Sequence, residues 1–304
     1  MSKIVGIGAN VYDTLIKVPY YPSEDTKLRA ESIVKCGGGP CATGLVAAAK
    51  LGGSCAFIGY LSDDEGGRFL KADMEKYNVS TEFTDIKSGY LSFSSYVVLS
   101  GENASRTCVF HKGNVPPLVL DDKKKNAILN SEILLIDGNE MEAAVEAAKI
   151  ARNAGKNVLY DAGGLYDGVE KLLPFANILI PSEEFAKGHT KTHNVHDAAI
   201  KLKEMYNPDI IVITQGKNGG ILYDGTKFTK YPAFDVEAID TNGAGDVFHG
   251  AFAFALTQGY SHYECCVFSS AVSALKCTKL GARQGVPSLG EVKEFLKERG
   301  YDEF

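Results

Sequence analysis

The sequence predicts an α/β fold, a three-layer αβα sandwich with a mainly parallel central sheet and a small β-sheet lid. Short runs rich in Val, Ile and Leu occur at residues 4–7, 56–60, 133–137, 158–161, 178–180 and 210–214. Such continuous apolar runs are typical of strands that are buried on both faces. Segments with apolar residues at three- and four-residue spacing, such as 143–151, lie between them and indicate helices. Strands that alternate with helices in this way predict a parallel sheet covered on both sides.

Two segments, at about 12–35 and 88–111, interrupt this alternation. The first has no helical period, and the second reads as a strand (90–99), a turn (100–103) and a strand (104–110). Because both lie outside the alternating pattern, we expect them to pair as a small antiparallel sheet that projects as a lid. A surface hairpin without function is the alternative. No repeat or linker divides the chain, so residues 1–304 are expected to form a single domain.

Composition favours a small-molecule partner in a reducing compartment. The 304 residues carry a net charge of -6, and Lys123 to Lys125 form the longest basic block, so we expect neither a nucleic-acid surface nor a membrane surface. Seven cysteines at irregular spacing do not form a framework of disulfides. The sequence shows neither a signal peptide nor about 18 consecutive apolar residues, so a cytoplasmic location is expected.

Residues 240–246, Asp-Thr-Asn-Gly-Ala-Gly-Asp, carry the strongest chemical signal. They precede an apolar stretch, 247–256, that predicts a helix buried on all sides. Gly243 and Gly245 leave backbone N–H groups uncovered at the positive end of the helix dipole, where an anion binds. Asp246 stands next to this anion hole, and we predict that it accepts a proton during phosphoryl transfer. The alternative is a first-turn acid that merely stabilises the helix start.

This segment resembles the second signature of the ribokinase-like (phosphofructokinase-B) sugar kinases. Residues 36–53, which begin Cys-Gly-Gly-Gly-Pro, and residues 58–67 resemble the first signature and the glycine- and aspartate-rich region that follows it. The resemblance extends from Gly6 to Pro287. It implies transfer of the terminal phosphate of ATP to a sugar hydroxyl, with Asp246 as the base. The same resemblance implies an anion hole made by the amides of Gly243, Ala244 and Gly245.

The resemblance also implies a set of sugar-binding residues: Asn10, Asp13, Gly38, Gly39, Thr43 and Arg106. A carboxylate such as Asp13 can accept two hydroxyl hydrogen bonds from one sugar. Thr43 stands where many relatives carry an asparagine, which allows a substrate preference different from that of ribokinase. Arg106, as in ketohexokinase-like relatives, is expected to reach a substrate oxygen or anionic group. The alternatives are a turn residue for Asp13, packing for the glycine pair and a solvated arginine for Arg106.

On the nucleotide side, the resemblance implies a phosphate- and ribose-contacting loop and an adenine pocket. The residues concerned are Thr214, Gly216, Gly219, Ala274, Cys277 and Gly281. It implies Mg²⁺ as a cofactor, and it also allows a monovalent cation such as K⁺ at Asp240 and Asn242. The family's usual Asn-x-x-Glu motif for magnesium is altered here to Ser182-Glu183-Glu184, so Glu183 or Glu184 is expected to take that role.

The sugar is expected to be a ketose such as fructose or a derivative. Residues 21–27 and Ser105-Arg106-Thr107 resemble ketohexokinase and carry this hypothesis. A ribokinase or nucleoside kinase of the same fold is one alternative, and a non-catalytic sugar-binding regulatory protein is the other. Exposed edge strands of a lid are commonly covered by a partner, so a homodimer through the lid is expected.

Overall fold

The computed structural model describes residues 2–102 and 105–304, and its strands and helices alternate as expected. The strands are β1 (Ile4–Ile7), β2 (Val11–Val18), β3 (Ser32–Gly38), β4 (Cys55–Ser62), β5 (Val79–Lys87), β6 (Ser94–Ser100), β7 (Arg106–His111), β8 (Ile133–Ile136), β9 (Asn157–Ala162), β10 (Ile178–Pro181), β11 (Ile210–Thr214), β12 (Gly220–Tyr223) and β13 (Phe228–Tyr231). The helices are α1 (Pro40–Lys50), α2 (Glu65–Lys76), α3 (Asp122–Leu129), α4 (Met141–Asn153), α5 (Val169–Leu172), α6 (Glu183–Thr190), α7 (Val195–Tyr206), α8 (Ala244–Thr257), α9 (His262–Cys277) and α10 (Leu289–Lys297).

The central sheet has the strand order β13-β12-β11-β10-β9-β8-β1-β4-β5. Strands from β11 to β5 are parallel, and β12 and β13 add an antiparallel edge. One apolar core packs α1, α8, α9 and α10 on one face, and a second packs α3, α4, α6 and α7 on the other. The predicted three-layer αβα sandwich is therefore confirmed. Within the described residues, no helix combines the length and apolar character needed to cross a membrane.

A separate four-stranded sheet, the lid, has the order β3-β2-β6-β7. The two predicted segments do pair, but the sheet is mixed, since β2 runs parallel to β6 and antiparallel to β3. The reason is topological: β1 and β5 are parallel strands, so the chain leaves both at the same edge and starts β2 and β6 in the same direction. The expected strand 90–99 begins only at Ser94, and Asn103 and Ala104 of the predicted turn and strand lie outside the described residues.

The buried helix predicted over 247–256 is α8, and a second helix, α9, follows and packs against it. Gly259 adopts a left-handed φ of 84°, which ends the first helix. Ser261 and Glu264 then form a capping box, in which each side chain accepts a hydrogen bond from the other residue's amide. These local signals turn the chain between two apolar helices.

Helices α1 and α8 meet at a pair of glycines, Gly44 and Gly250. A Cβ atom at Gly250 would overlap the carbonyl oxygen of Gly44, and one at Gly44 would lie 3.3 Å from the carbonyl oxygen of Asp246. The two backbones are therefore in direct contact. As a result, both helices begin near the carboxyl edge of the parallel strands, where α/β proteins bind their ligands.

This contact makes a prediction about stability. Gly250→Ala should destabilise the protein by roughly 1–3 kcal/mol, because the new methyl group has to push two backbones apart. Gly290→Ala in α10, where an added Cβ meets nothing within 4 Å, is the matched control and should be neutral or slightly stabilising. Urea unfolding monitored by circular dichroism measures both. Equal stability of the two variants would contradict a tight α1–α8 contact.

Candidate active site

A cavity of about 660 Å³ lies between the lid and the carboxyl edge of the central sheet. Because side chains alternate along a strand, one face of the lid lines it. The lining residues of β2, β6 and β7 are Val11, Asp13, Ser95, Val97, Arg106, Cys108 and Phe110. A second cavity of about 440 Å³, beside Val5 and Phe83, contains none of the residues that the sequence singled out. The lid cavity is therefore the candidate site.

Asp13 and Gly39 line this cavity, and Gly38 lies directly against Asp13. The Asp13 side chain is buried and accepts a hydrogen bond from the Ser95 hydroxyl at 2.6 Å. Burial raises its pKa. A Cβ atom at Gly38 would overlap the Asp13 carboxylate, and Gly39 has a φ of 91° with Ala9 O 2.5 Å from a Cβ position. A side chain at either glycine would overlap a neighbouring group, so both positions require glycine. Asp13 is held at the cavity wall.

Asn10 is turned away from the cavity by a residue that the sequence did not reveal, Arg283. The fully buried guanidinium of Arg283 donates to Asn10 Oδ1 at 2.9 Å, to Gly38 O at 2.6 Å and to Asp73 Oδ2 at 2.6 Å. The amide nitrogen of Asn10 faces Met74 Sδ at 3.0 Å. Arg283 therefore fixes the strand that carries the sugar-side glycines. Direct contact of Asn10 with a sugar stays a prediction.

Thr43 lies on the buried side of α1 and does not line the cavity. Its side chain is fully buried, and its hydroxyl has no partner among the described residues. A buried hydroxyl without a hydrogen bond costs free energy, so this position is energetically unusual. The predicted contact of Thr43 with a sugar stays a prediction.

The start of α8 has features that suit the predicted anion hole, but its free amides differ from the predicted set of Gly243, Ala244 and Gly245. Gly243 precedes the helix with a left-handed φ of 74°, and no side chain caps it. The Ala244 amide donates to Thr241 O at 3.2 Å, whereas the described chain supplies no acceptor for the amides of Gly245 and Asp246. An added Cβ at Gly245 would meet nothing within 4 Å. The free amides of 245 and 246 and the open space beside them fit an anion such as a phosphate.

The Asp246 carboxylate stands in an environment that favours its protonated form. No donor among the described residues hydrogen-bonds to it. Its pKa is raised to about 7, mainly by burial and secondly by the negative charge of Asp161. Its side chain does not line the cavity, but Arg106 and Asn242 do, and the Arg106 guanidinium donates to Asn242 Oδ1. Arg106 is near enough for its charge to oppose the rise in the pKa of Asp246. The lid thus contacts the loop before α8, residues 240–243 (the anion-hole loop), next to the predicted base.

Two further acids, Asp137 and Asp161, surround Asp246. Asp137 follows β8 and accepts from the amides of Ala9 at 2.8 Å and Cys41 at 3.0 Å. Burial raises the pKa of Asp161, in β9, to about 8. The sequence analysis did not single out either acid, although both stand at the carboxyl ends of predicted strands. That position is a signal that could have identified them.

His249, one turn into α8, is a buried histidine that the sequence analysis also missed. Its Nδ1 lies 2.6 Å from Gly245 O and 3.2 Å from Asp161 Oδ2, and its Nε2 lies 2.9 Å from Ile180 O. Burial lowers its pKa, while hydrogen bonds to the two carbonyls oppose this. The ring joins the first turn of α8 to the ends of β9 and β10, and so it helps to hold the anion hole in place.

The family model for pfkB family carbohydrate kinases matches residues 1–289. This chain belongs to the pfkB family. Ribokinase of Haemophilus influenzae is 28% identical over 96% of this chain and 97% of its own length. Aminoimidazole riboside kinase of Salmonella typhimurium is 29% identical over 88% of this chain and 90% of its own. The chain is therefore a phosphotransferase that acts on a sugar hydroxyl.

A solved structure of Arabidopsis thaliana ribokinase, complexed with ribose and ATP, matches with a TM-score of 0.88. It is 24% identical and covers 97% of this chain and 99% of that one. This agreement establishes the ribokinase-like fold.

In this pfkB kinase, the loop expected to contact the nucleotide follows β11. Thr214 ends that strand and pairs with Ser182. Gly216 and Gly219 adopt left-handed φ values of 55° and 75°, which lets the loop turn back into β12. Ala274 and Cys277 lie on α9, buried and half-buried respectively, and Gly281 follows that helix. Contacts of these residues with a nucleotide stay predictions.

Glu183 and Glu184, the candidates for magnesium, differ in their surroundings. Glu183 forms an ion pair with Lys187 at 2.9 Å and accepts from Gln215 at 3.1 Å, and these contacts lower its pKa. Glu184 is exposed. Within residues 2–102 and 105–304, no cluster of three His, Cys, Asp or Glu side chains could hold a metal ion. A single carboxylate such as that of Glu183 fits Mg²⁺, which keeps several waters and binds proteins through few carboxylates.

Asp240, which was expected to hold a monovalent cation, is already bonded to the protein through both carboxylate oxygens and its carbonyl oxygen, the last of them to an ammonium group. Its Oδ1 accepts from the Asn242 amide and its Oδ2 from the Gly281 amide, both at 2.8 Å. Its backbone carbonyl accepts from Lys276 Nζ at 2.7 Å. The oxygens available here therefore do not fit an additional cation.

Proposed function

We propose that this pfkB carbohydrate kinase transfers the terminal phosphoryl group of ATP to a hydroxyl of a small sugar, with Asp246 as the general base. One observation carries the proposal: a carboxylate without a hydrogen-bond donor stands beside two unpaired amides at the start of α8. The carboxylate can accept a proton, and the amides can stabilise negative charge. Phosphoryl transfer needs both in one place.

The proton of the attacking hydroxyl passes to an oxygen of Asp246, and the sugar oxygen forms the new bond to the terminal phosphorus of ATP. The bond between that phosphorus and its bridging oxygen breaks, and ADP leaves with the electron pair. The amides of Gly245 and Asp246 donate to the phosphoryl oxygens. Each such donor contributes roughly a hundred- to a thousandfold in rate, and a positioned base roughly a hundred- to ten-thousandfold. ATP supplies the phosphoryl group, and a bound Mg²⁺ would supply positive charge against the phosphates. Glu183, held by Lys187 and Gln215, is the residue that we expect to reach this ion through water.

The sugar is proposed to lie on Asp13, with the backbone of Gly38 and Gly39 close to it. The Ser95 hydroxyl already holds one carboxylate oxygen of Asp13, which fixes the direction of the other toward the ligand. Arg106 now bonds to Asn242 across the mouth of the site. We expect substrate binding to replace that bond, so that Arg106 contacts a substrate oxygen or anionic group.

A ketose such as fructose remains the first substrate hypothesis, supported by segments 21–27 and 105–107. Tyr21 joins these segments in space, since Thr107 Oγ1 lies 3.2 Å from the Tyr21 hydroxyl. The similarity to ribokinase and to aminoimidazole riboside kinase favours ribose or a riboside as the second candidate. A cavity of about 660 Å³ has the size of a typical small-ligand site and accommodates either class.

The substrate prediction is tested by a coupled assay of ADP release with ketoses, aldoses and nucleosides. We expect ATP-dependent turnover with at least one ketose and weaker turnover with ribose and ribosides. Turnover confined to ribose or ribosides would replace the ketose hypothesis without affecting the kinase proposal. ATP binding without turnover on any compound would support the rival function, a non-catalytic sugar-binding protein.

The role of Asp246 predicts a specific pH dependence. Its pKa is raised to about 7 and the base works in its ionised form, so kcat/KM should fall as the pH drops below about 7. Asp246→Asn should keep sugar affinity, lose roughly a hundred- to ten-thousandfold in kcat, and lose this acid limb. Asp302→Asn, an exposed site far along the chain, is the control and should behave as the unmodified protein. A near-normal rate in Asp246→Asn would exclude the proposed base.

We also propose that two copies associate through their lids. On the outer face of the lid, Tyr96 and Val109 are opposite each other on β6 and β7 and are 54% and 66% exposed. Ile33 and Val34 on edge strand β3 are similarly exposed, at 62% and 49%. An apolar face beside two unpaired strand edges is typical of a surface that pairs with a partner.

The lid proposal predicts a dimer mass in light scattering. Tyr96→Lys combined with Val109→Lys should yield monomers, because like charges would face each other across the interface. Leu129→Lys, which adds the same charge at an exposed apolar site on α3, should leave the dimer intact. A monomeric mass of the unmodified protein at all working concentrations would overturn the proposal.

A further inference from the structure

Asp240 makes the hydrogen bonds that hold the anion-hole loop, residues 240–243, in place. Its carboxylate accepts from the amides of Asn242 and Gly281, and its own amide donates to Cys277 O at 3.0 Å. The loop then runs through Asn242 to Gly243, where α8 begins. The position of the free amides of 245 and 246 therefore depends on how firmly Asp240 is fixed.

A buried ammonium group, that of Lys276, is bonded to Asp240. Lys276, in the last turn of α9, is fully buried, and its Nζ donates to the Asp240 carbonyl oxygen at 2.7 Å, a typical length for a charge-assisted hydrogen bond. The same Nζ lies 3.8 Å from Asp240 Oδ2, within ion-pair distance. One residue thus presents a carbonyl and a carboxylate to a single positive charge. Carbonyl and carboxylate oxygens are also what a protein offers to a bound K⁺ or other hard cation.

We infer that the Lys276 ammonium takes the place of a monovalent cation behind the anion-hole loop, so that this kinase needs no added K⁺. The inference concerns the site of the proposed function and makes Lys276 a positioning residue, which acts on the reaction through Asp240.

Charge balance excludes a second cation at the same oxygens. Asp240 supplies one negative charge, and Lys276 already neutralises it. A K⁺ ion on the same carbonyl would lie within a few ångströms of Nζ, and two like charges repel strongly where water is excluded. Asp246 and Arg106 also act on Lys276, and their charges oppose each other. The charge of the Asp240 carboxylate is therefore balanced by Lys276 without a further cation.

The contacts around Asp240 explain how such a cation would serve catalysis. Lys276 fixes the Asp240 carbonyl, and Asp240 fixes the Asn242 amide, directly before Gly243, where α8 begins. Removing the ammonium should free the loop while leaving every donor of the anion hole in the chain. A misplacement of about 1 Å at a reacting group can cost roughly a hundredfold in rate.

The inference is tested by turnover in KCl and in tetramethylammonium chloride at equal ionic strength, with the best substrate from the panel. The unmodified kinase should show rates within about twofold of each other in the two salts, since screening is held constant. Lys276→Ala should lose roughly ten- to a hundredfold in kcat in tetramethylammonium chloride and regain most of it in KCl or ammonium chloride, because a small cation can enter the space left by the side chain. Lys276→Met fills that space without a charge and should lose activity without recovery.

Thermal unfolding in the same salts gives a readout that is independent of turnover. The midpoint of the unmodified protein should be the same in both salts, whereas that of Lys276→Ala should be higher in KCl. A requirement of the unmodified enzyme for K⁺, or its stabilisation by K⁺, would overturn the inference even if Lys276→Ala fails to fold. Full activity of Lys276→Ala without K⁺ would overturn it as well. Absence of turnover with every sugar would instead contradict the proposed function, and the unfolding data would still decide the question of the cation.

Discussion

The contact between α1 and α8 is the constraint on which the site depends. Each helix brings its own glycine turn: α1 follows Gly38 and Gly39, and α8 follows Gly243. Because Gly44 and Gly250 let the two backbones touch, the two glycine turns, which we propose bind sugar and phosphate, are held at a fixed separation by main-chain atoms. Packing through side chains would leave that separation open to small adjustments. Direct backbone contact does not, because protein interiors are close-packed.

Around this contact the chain holds two buried cations, and each is paired with a carboxylate. Arg283 is bonded to Asp73, and Lys276 is paired with Asp240. A buried ion pair adds little net stability, but removing one partner leaves a costly charge. The Asp246 carboxylate, by contrast, has no ion-pair partner within the described chain. That difference separates the positioning charges from the group that is free to do chemistry.

The lid uses the two faces of a strand for two purposes. Its inner face presents Asp13, Ser95 and Arg106 to the cavity, and its outer face presents apolar side chains such as Tyr96 and Val109. A one-residue shift in register would exchange the faces, so the pairing of β2, β6 and β7 determines both the sugar contacts and the outer surface. The parallel pairing of β2 with β6 follows from the common direction of the central strands β1 and β5 that precede them.

The sequence by itself determined the layers of the fold and the two glycine turns. Apolar runs, helical periods and glycines at 38, 39, 243 and 245 act over a few residues, so a local pattern reveals them. It also predicted Asp13 and Asp246 as site residues, since each stands within such a pattern. Only the tertiary structure showed that Lys276 pairs with Asp240 and that Arg283 holds Asn10 away from the cavity. It alone also showed that β2 runs parallel to β6. Arg283 and Asn10 are 273 residues apart, and no local spacing links them. Such partners are chosen by the packing of distant elements, because a buried charge or amide must find its hydrogen bonds wherever the completed fold supplies them.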